Sequence, residues 1–436
     1  MNGKRLLLIP GALLWLHAAY AGDSDIKVTP SASVYFQIGQ LEQTFDQSVS
    51  LPNKTWDQRC DLRLNLNATV QEHLRIIVAA EAAMVTQVQP PRGNQPMGAT
   101  SSSSYAFPRE GQGIYSFGDD PENSFLQIAV GYFPFKYNPQ ASNMGEYLFR
   151  TGTYPPFIIN DFDDCEARLL GLRVSSNLFS RLRFDALFTS ETYYNPLGDY
   201  SLSLLAGFKP NKIVDIGAGV SWSRLLPLDP RETTNPSSIV YASDGITPVI
   251  QNGDTLKYTF KGTKLMARVT FDPKQFLPDD ILNMFGKEDG KFYAETAILG
   301  WSDYGSYYND IMKRLPAMVG FNIPTTKWGL DVLSLELEYF GFNYDQFAFP
   351  PGQTPTDGLN TDKYVSDNFF HWSLFATKTV VGGLSIKGLI GKDHYRVTGS
   401  TSPWAGVDNP TSSYGSGELL MAHGDWHYTL RVMYSF

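Results

Sequence analysis

The chain has 436 residues, a formal charge of −9 at neutral pH, 42% hydrophobic and 14% aromatic residues. Nothing basic or Gly-rich in it suits nucleic acid or a nucleotide. Past the N-terminal segment, no stretch reaches the roughly 18 continuous apolar residues of a membrane helix. If the chain spans a bilayer it does so as a closed barrel, the other structure that pairs every backbone group without water. A modest hydrophobic fraction fits that case, because only alternate residues of each strand meet lipid.

The N-terminus reads as a secretory leader, Met1 to Ala21. Lys4 and Arg5 are its charged start, Leu6 to Ala18 its apolar stretch and Ala19-Tyr20-Ala21 its small-x-small cleavage site. No Cys follows the cut, so no lipid anchor is expected. Residues 22–436 are then expected to form one domain. Ser31 to Gln40 is the first strand, with Ala32, Val34, Phe36 and Ile38 on one face. Asp61 to Val70 places Leu62, Leu64, Leu66, Ala68 and Val70 outward against Asp61, Arg63, Asn65, Asn67 and Thr69. Gln71-Glu72-His73 turns the chain into Leu74 to Ala83, with Arg75 and Glu81 inward.

Gln87 to Asn123 is rich in Ser, Gly and Pro and reads as a long external loop. Ser124 to Phe135 is the next strand. Lys136 to Asp163 is ambiguous: a weakly alternating strand near Gly145 to Thr151 keeps the up-down parity, while folding of part of the stretch into the lumen is the alternative. Glu166 to Ser175, Leu178 to Glu191, Tyr200 to Lys209, Val214 to Trp222, Thr255 to Phe271, Phe292 to Trp301, Leu315 to Ile323, Val332 to Gly341, Asn368 to Thr379 and Leu384 to Asp393 follow. Arg224 to Asp254 is a second long loop. Asp272 to Gly290 is an unusually long turn on the short-turn side, with a small helix expected at Pro278 to Phe285.

The last segment, Asp425 to Phe436, alternates strictly. Trp426, Tyr428, Leu430, Val432, Tyr434 and Phe436 share one face; His427, Thr429, Arg431, Met433 and Ser435 share the other. Aromatics at both ends and aliphatics between suit a strand that crosses a bilayer. Ending on Phe436, the chain resembles the bacterial outer-membrane β-barrels, whose final Phe serves as an assembly signal. In length and strand count it resembles the porins. The count comes to sixteen antiparallel strands, with fourteen and eighteen as alternatives, joined by short periplasmic turns and long extracellular loops. No motif selects one porin subfamily.

The resemblance implies a Gram-negative outer-membrane location and a water-filled channel for passive diffusion of small hydrophilic solutes and ions. It also implies lipid and lipopolysaccharide surroundings, handling by barrel assembly machinery and, as porins of this size commonly are, a homotrimer. The alternative is a structural or docking barrel within an outer-membrane assembly, its lumen blocked by long loops.

Inward-facing charges are segregated along the chain. Arg63, Arg75, Arg173, Arg181 and Arg183 come early; Glu295, Glu336 and Glu338 come late. In a closed ring they would lie on roughly opposite walls, giving a transverse field; ordinary solvated wall charges are the plainer reading. Trp301, Tyr304, Tyr307 and Tyr308, with Tyr339, Phe340, Phe342, Tyr344, Phe347 and Phe349, suit an interfacial girdle better than a sugar-stacking track.

Cys60 and Cys165 are candidates for a disulfide in an oxidising compartment, although alternation sets them on opposite faces. Asp161, Asp163 and Asp164 form a weak Ca²⁺ candidate that lacks the Gly and distant Glu of an EF-hand loop. No cofactor is called for. His423 and His427 are four apart, roughly 13 Å on a strand and too far for one metal. His371 and Ser373 share an inward face without a third partner for a triad, so no enzyme is expected.

Overall fold

The period-two pattern becomes a ring of hydrogen-bonded strands in a computed structural model, which describes residues 26–43, 54–70, 72–88, 90, 100–118, 124–150, 166–179, 181–192, 198–228, 247–248, 250–251, 254–255, 262–301, 311–339, 370–392, 394–396, 418–420 and 426–436. The strands in chain order begin β1 (Ile26–Gln43), β2 (Thr55–Val70), β3 (Leu74–Val88), β4 (Thr100–Phe117) and β5 (Leu126–Phe135). They continue as β6 (Ala167–Phe179), β7 (Leu182–Ser190), β8 (Tyr200–Phe208), β9 (Val214–Leu226), β10 (Ile250–Gln251) and β11 (Asp254–Thr255). Next come β12 (Gly262–Phe271), β13 (Phe292–Ile298), β14 (Ala317–Asn322), β15 (Val332–Tyr339), β16 (Phe370–Val381) and β17 (Leu384–Lys392). The series ends with β18 (His394–Arg396), β19 (Glu418–Leu420) and β20 (Trp426–Ser435).

Sixteen of these strands form a closed antiparallel barrel; β10 with β11, and β18 with β19, are separate small ribbons. Closure is made by β20, which pairs with β17 on one side and β1 on the other. Phe436 exchanges two backbone hydrogen bonds with Ala32, each 2.9 Å, at the foot of that seam. No backbone edge is left in the ring, which is the condition for crossing hydrocarbon with strands.

The expected count of sixteen holds, but one member was misplaced. Residues 100–117, expected to lie in an external loop, form β4, which pairs along the length of β3 and, in part, with β5. Of the two readings of the stretch after β5, the strand near Gly145 is not formed; residues 145–150 belong to a segment that folds into the lumen, as the alternative has it. The outward face of β4 explains why it escaped notice. Ser102, Ser104, Ala106, Pro108, Gly111 and Gly113 precede its first large apolar residue, Tyr115, so alternation shows in size rather than in polarity. A bulge at Arg109 of β4, opposite Ala79 and Ala80 of β3, also shifts the parity of its faces between Pro108 and Gly111. The two displacements compensate in the total. They reverse the direction of β5 and move the long connection after it to the loop side.

The solvent pattern is that of a soluble protein inverted. Outward Leu62 and Val130 are 39% and 57% exposed, whereas inward Asp61 and Glu81 are 1% and 2% exposed. At about 25 cal/mol per Å² this outer surface needs an apolar medium. Two aromatic girdles bound it. At the turn side, Phe292 stacks on Phe321 with ring centroids 4.4 Å apart and Tyr434 on Phe436 at 5.9 Å. At the loop side lie Phe188 stacked on Tyr200, Tyr339 against Phe370, and Trp56 against Tyr428. Trp301 is exposed there too. Tyr304, Tyr307, Tyr308, Phe340, Phe342, Tyr344, Phe347 and Phe349 lie outside the described residues, as does the leader, Met1 to Ala21.

The short turns have local causes. In the 210–212 turn, the Asn211 side-chain oxygen accepts from both Ile213 N and Val214 N at 2.9 Å, turning the chain before β9 begins.

Candidate functional site

The interior is organised by residues 136–150, which leave the loop end of β5 and run inside the ring. Their base is closed by Glu146, whose carboxylate accepts from Tyr137 N at 3.1 Å and Asn138 N at 2.6 Å. Gly145 and Glu146 both take positive φ, +82° and +57°, and make the reversal. Gly145 has a second reason to be glycine: a Cβ there would lie 2.9 Å from Glu295 Oε2. Arg150, fully buried, donates to Gly145 O at 2.8 Å and to Asn143 O, stapling the turn from within.

The segment is latched to the wall through the late glutamates. Glu295 on β13 accepts from Tyr137 OH (2.6 Å), Asn138 Nδ2 (2.7 Å) and Tyr147 N (3.0 Å). Glu336 on β15 accepts from three successive backbone amides, Ser142, Asn143 and Met144, at 2.7, 2.9 and 3.1 Å. It also accepts from Tyr293 OH at 2.9 Å. Glu338 accepts from Tyr147 OH at 2.7 Å, with His371 Nδ1 3.8 Å from its other oxygen. Asn143 Nδ2 donates to Ser373 Oγ at 2.9 Å, and Lys264 Nζ to Leu148 O at 3.2 Å. Tyr293 lies across Gly320 of β14, where a Cβ would come within 2.1 Å of the ring.

Apolar packing completes the latch. Met144, Tyr147, Leu148 and Phe149 join Phe133, Phe135, Leu187, Leu205, Met266 and Met318 in one buried cluster. This cluster is the barrel's only sizeable apolar core among the described residues.

The acidic group therefore points inward as the alternation requires, but it does not face the lumen's water. Glu295, Glu336 and Glu338 are 2%, 0% and 1% exposed, covered by the segment. Burying several carboxylates costs several kcal/mol each unless their lone pairs are satisfied; amides and phenols satisfy them here. Burial, and then the nearby Glu295 charge, push the Glu146 carboxyl well above the usual carboxylate range.

The five arginines expected to form a basic wall separate into two kinds. Arg63 lies deep, its Nε 3.0 Å from Glu81. Arg173 and Arg183 both reach Asp185, at 3.0 and 2.9 Å. Arg75 and Arg181 are exposed at the turn end. The denser basic group holds Arg59, Arg109 and Arg168, which the sequence reading passed over, and Arg431, read as inward but not counted in the wall. Arg59 and Arg109 both bind Glu81, the first at 2.8 Å. Arg168 pairs with Glu166 and donates to Arg109 O at 3.2 Å. Arg431 is held by Gln37 Oε1 at 3.0 Å, and its guanidinium, with those of Arg59 and Arg63, surrounds the Tyr35 ring at 4.3 to 5.5 Å.

Arg59 was legible: it shares parity with Asp61 and Arg63, and only the strand boundary hid it. Arg109 lies on the strand mistaken for loop. Cys60 carries a free thiol on the outward face of β2; Cys165 lies outside the described residues, as do Asp161, Asp163, Asp164 and His423.

No family model matches the sequence and no curated protein matches it. Among solved structures, OprB of Pseudomonas putida is similar with a TM-score of 0.51 and 11% identity, covering 98% of this chain and 97% of that one. A mutant of the Rhodopseudomonas blastica porin is similar at a TM-score of 0.41 and 9% identity, covering 94% of this chain and 100% of that one. In fold, then, the chain is a porin-like closed barrel of sixteen strands with one segment turned inward.

Proposed function

We propose that this chain is an outer-membrane channel, exported by a leader cleaved after Ala21, through which small hydrophilic solutes and ions diffuse passively. One observation carries the reading: residues 136–150 are bonded to the wall of β13, β15 and β16, while a second wall, built on β1 to β4 and β20, keeps a lining of arginines and carboxylates. A segment held against one side narrows a lumen without needing to fill it. Guanidinium and carboxylate groups on the other side can replace part of a solute's hydration shell.

Rather than one side of a transverse field facing the early arginines, we read Glu295, Glu336 and Glu338 as one half of a division of labour. These glutamates hold the segment, while Glu81 and Asp61, equally buried, hold the arginines whose edges remain the polar lining of the opposite wall. Reconstitution of the folded protein in planar bilayers tests the proposal. Steady ohmic steps are expected; a silent bilayer would sink the channel and leave the scaffold reading.

A further inference from the structure

The turn between β12 and β13, residues 272–291, is far longer than a hairpin requires, and it is built rather than loose. Lys274, 6% exposed, donates from Nζ to Asp272 Oδ2, Lys287 O and Asp289 O at 3.0, 2.9 and 2.9 Å. Asp289 accepts from Gly286 N at 2.9 Å and, across to the neighbouring turn, from Thr325 N at 3.2 Å. Asp272 N donates to Ile213 O at 2.7 Å and Gly290 N to Asn322 O at 2.8 Å, so both roots are tied to adjacent strand ends.

This ordered frame presents apolar side chains outward. Phe276, Ile281 and Met284 are all exposed. Met284 N donates to Ile281 O at 3.0 Å, so the two side chains fall on one side of a helical turn. Trp328, on the turn joined through Asp289, is exposed as well. A framework stabilised by a buried lysine would not be spent on displaying such groups to water.

The patch is continuous with the barrel's outer apolar surface. The Phe276 ring lies 6.3 Å from that of Phe271, the last outward residue of β12. Phe271 is in register with Phe292, which stacks on Phe321. A row of phenylalanines thus runs along the feet of three strands and onto the turn. Aromatic and aliphatic groups at this level sit at a headgroup–acyl boundary, and an amphipathic turn can lie in its plane.

We propose that residues 273–285 form an interfacial anchor embedded in the periplasm-facing leaflet beside the barrel, its occupant being phospholipid of the same bilayer. This rests on the outer-membrane reading and adds a site to it.

Spin labels provide the test. Phe276→Cys and Ile281→Cys are each placed in a Cys60→Ser, Cys165→Ser background and reconstituted in phosphatidylethanolamine–phosphatidylglycerol vesicles. Val130→Cys on the outward face of β5 reports lipid, and Glu72→Cys on an exposed turn at the same end reports water. The expected result is an oxygen-to-nickel-chelate accessibility ratio at both sites several-fold above that at Glu72 and below that at Val130. A nickel collision rate equal to that at Glu72 overturns the proposal, as does shielding from both reagents, which means a second copy covers the patch. A Val130 label open to nickel chelate instead overturns the membrane barrel itself.

Discussion

Two walls of one barrel handle buried carboxylates in opposite ways. On β13 and β15, Glu295 and Glu336 are satisfied by amides and phenols of an infolded segment. On β2 and β3, Asp61 and Glu81 are satisfied by guanidinium groups of the strands themselves. A carboxylate facing backbone N–H groups acts as a docking point, because the donors it needs are a folded segment. A carboxylate facing arginines is satisfied inside the wall itself, in a charge lattice that needs no infolded segment and leaves only the guanidinium edges about a tenth exposed.

Breaking the docking wall should have the largest effect. Glu336→Ala removes the acceptor of three backbone amides, two of them buried, while Tyr293 OH keeps Ser334 Oγ; each buried unpaired donor costs about 1–3 kcal/mol. The expected outcome is release of the segment, seen as new proteolytic cleavage within 136–150 and as larger single-channel conductance. Glu336→Gln keeps one acceptor oxygen and should do less. Equal conductance for wild type and Glu336→Ala would mean that the segment does not set the bore.

Gly320→Ala attacks the same wall from behind. Its Cβ would meet the Tyr293 ring, and overpacking of this kind costs about 1–3 kcal/mol. A lowered unfolding temperature of the barrel in detergent is expected, with Gly388→Ala, whose site is open, as a silent control.

A third test uses pH. Glu146 has its pKa raised by burial and by Glu295, so the folded protein holds this proton where the unfolded chain has released it. Stability then falls as pH rises from the ordinary Glu value of about 4.3 toward the raised one. Thermal unfolding between pH 5 and neutrality should show that slope, and Glu146→Gln should flatten it.

On the charged wall the effects on stability should be small. Arg183, about half exposed, pairs with Asp185, and exposed pairs contribute about 0–1 kcal/mol. Arg183→Gln should leave the unfolding temperature nearly unchanged while moving the reversal potential of the channel toward cations. The smallest effect belongs to Asp331, outside the strands, whose carboxyl is held below the usual range by hydrogen bonds from Thr379. Its contribution is present above the ordinary Asp value of about 3.9 and lost as pH falls through the lowered one. Asp331→Asn should erase only a slight acid dependence, read in the same melts below pH 4.

Most of the ring was legible because lipid and water impose the alternation residue by residue. Leu62 and Leu64 against Asp61 and Arg63 need no tertiary information to be assigned faces. The site was less so. Glu295, Glu336 and Glu338 were recognised as inward, but their purpose depends on Ser142 to Met144 and Tyr147, which lie some 150 to 190 positions away in the chain. β4 was lost because small residues hide a period that size alone carries.

What the sequence by itself determined is the class: alternating faces, aromatic ends and turn spacing dictate an antiparallel closed ring, since each strand must satisfy the same two-sided surroundings. What only the tertiary structure decided is the interior. Whether 136–150 crosses the bilayer or turns inward depends on acceptors that three distant strands bring together, and backbone amides carry no sequence signature.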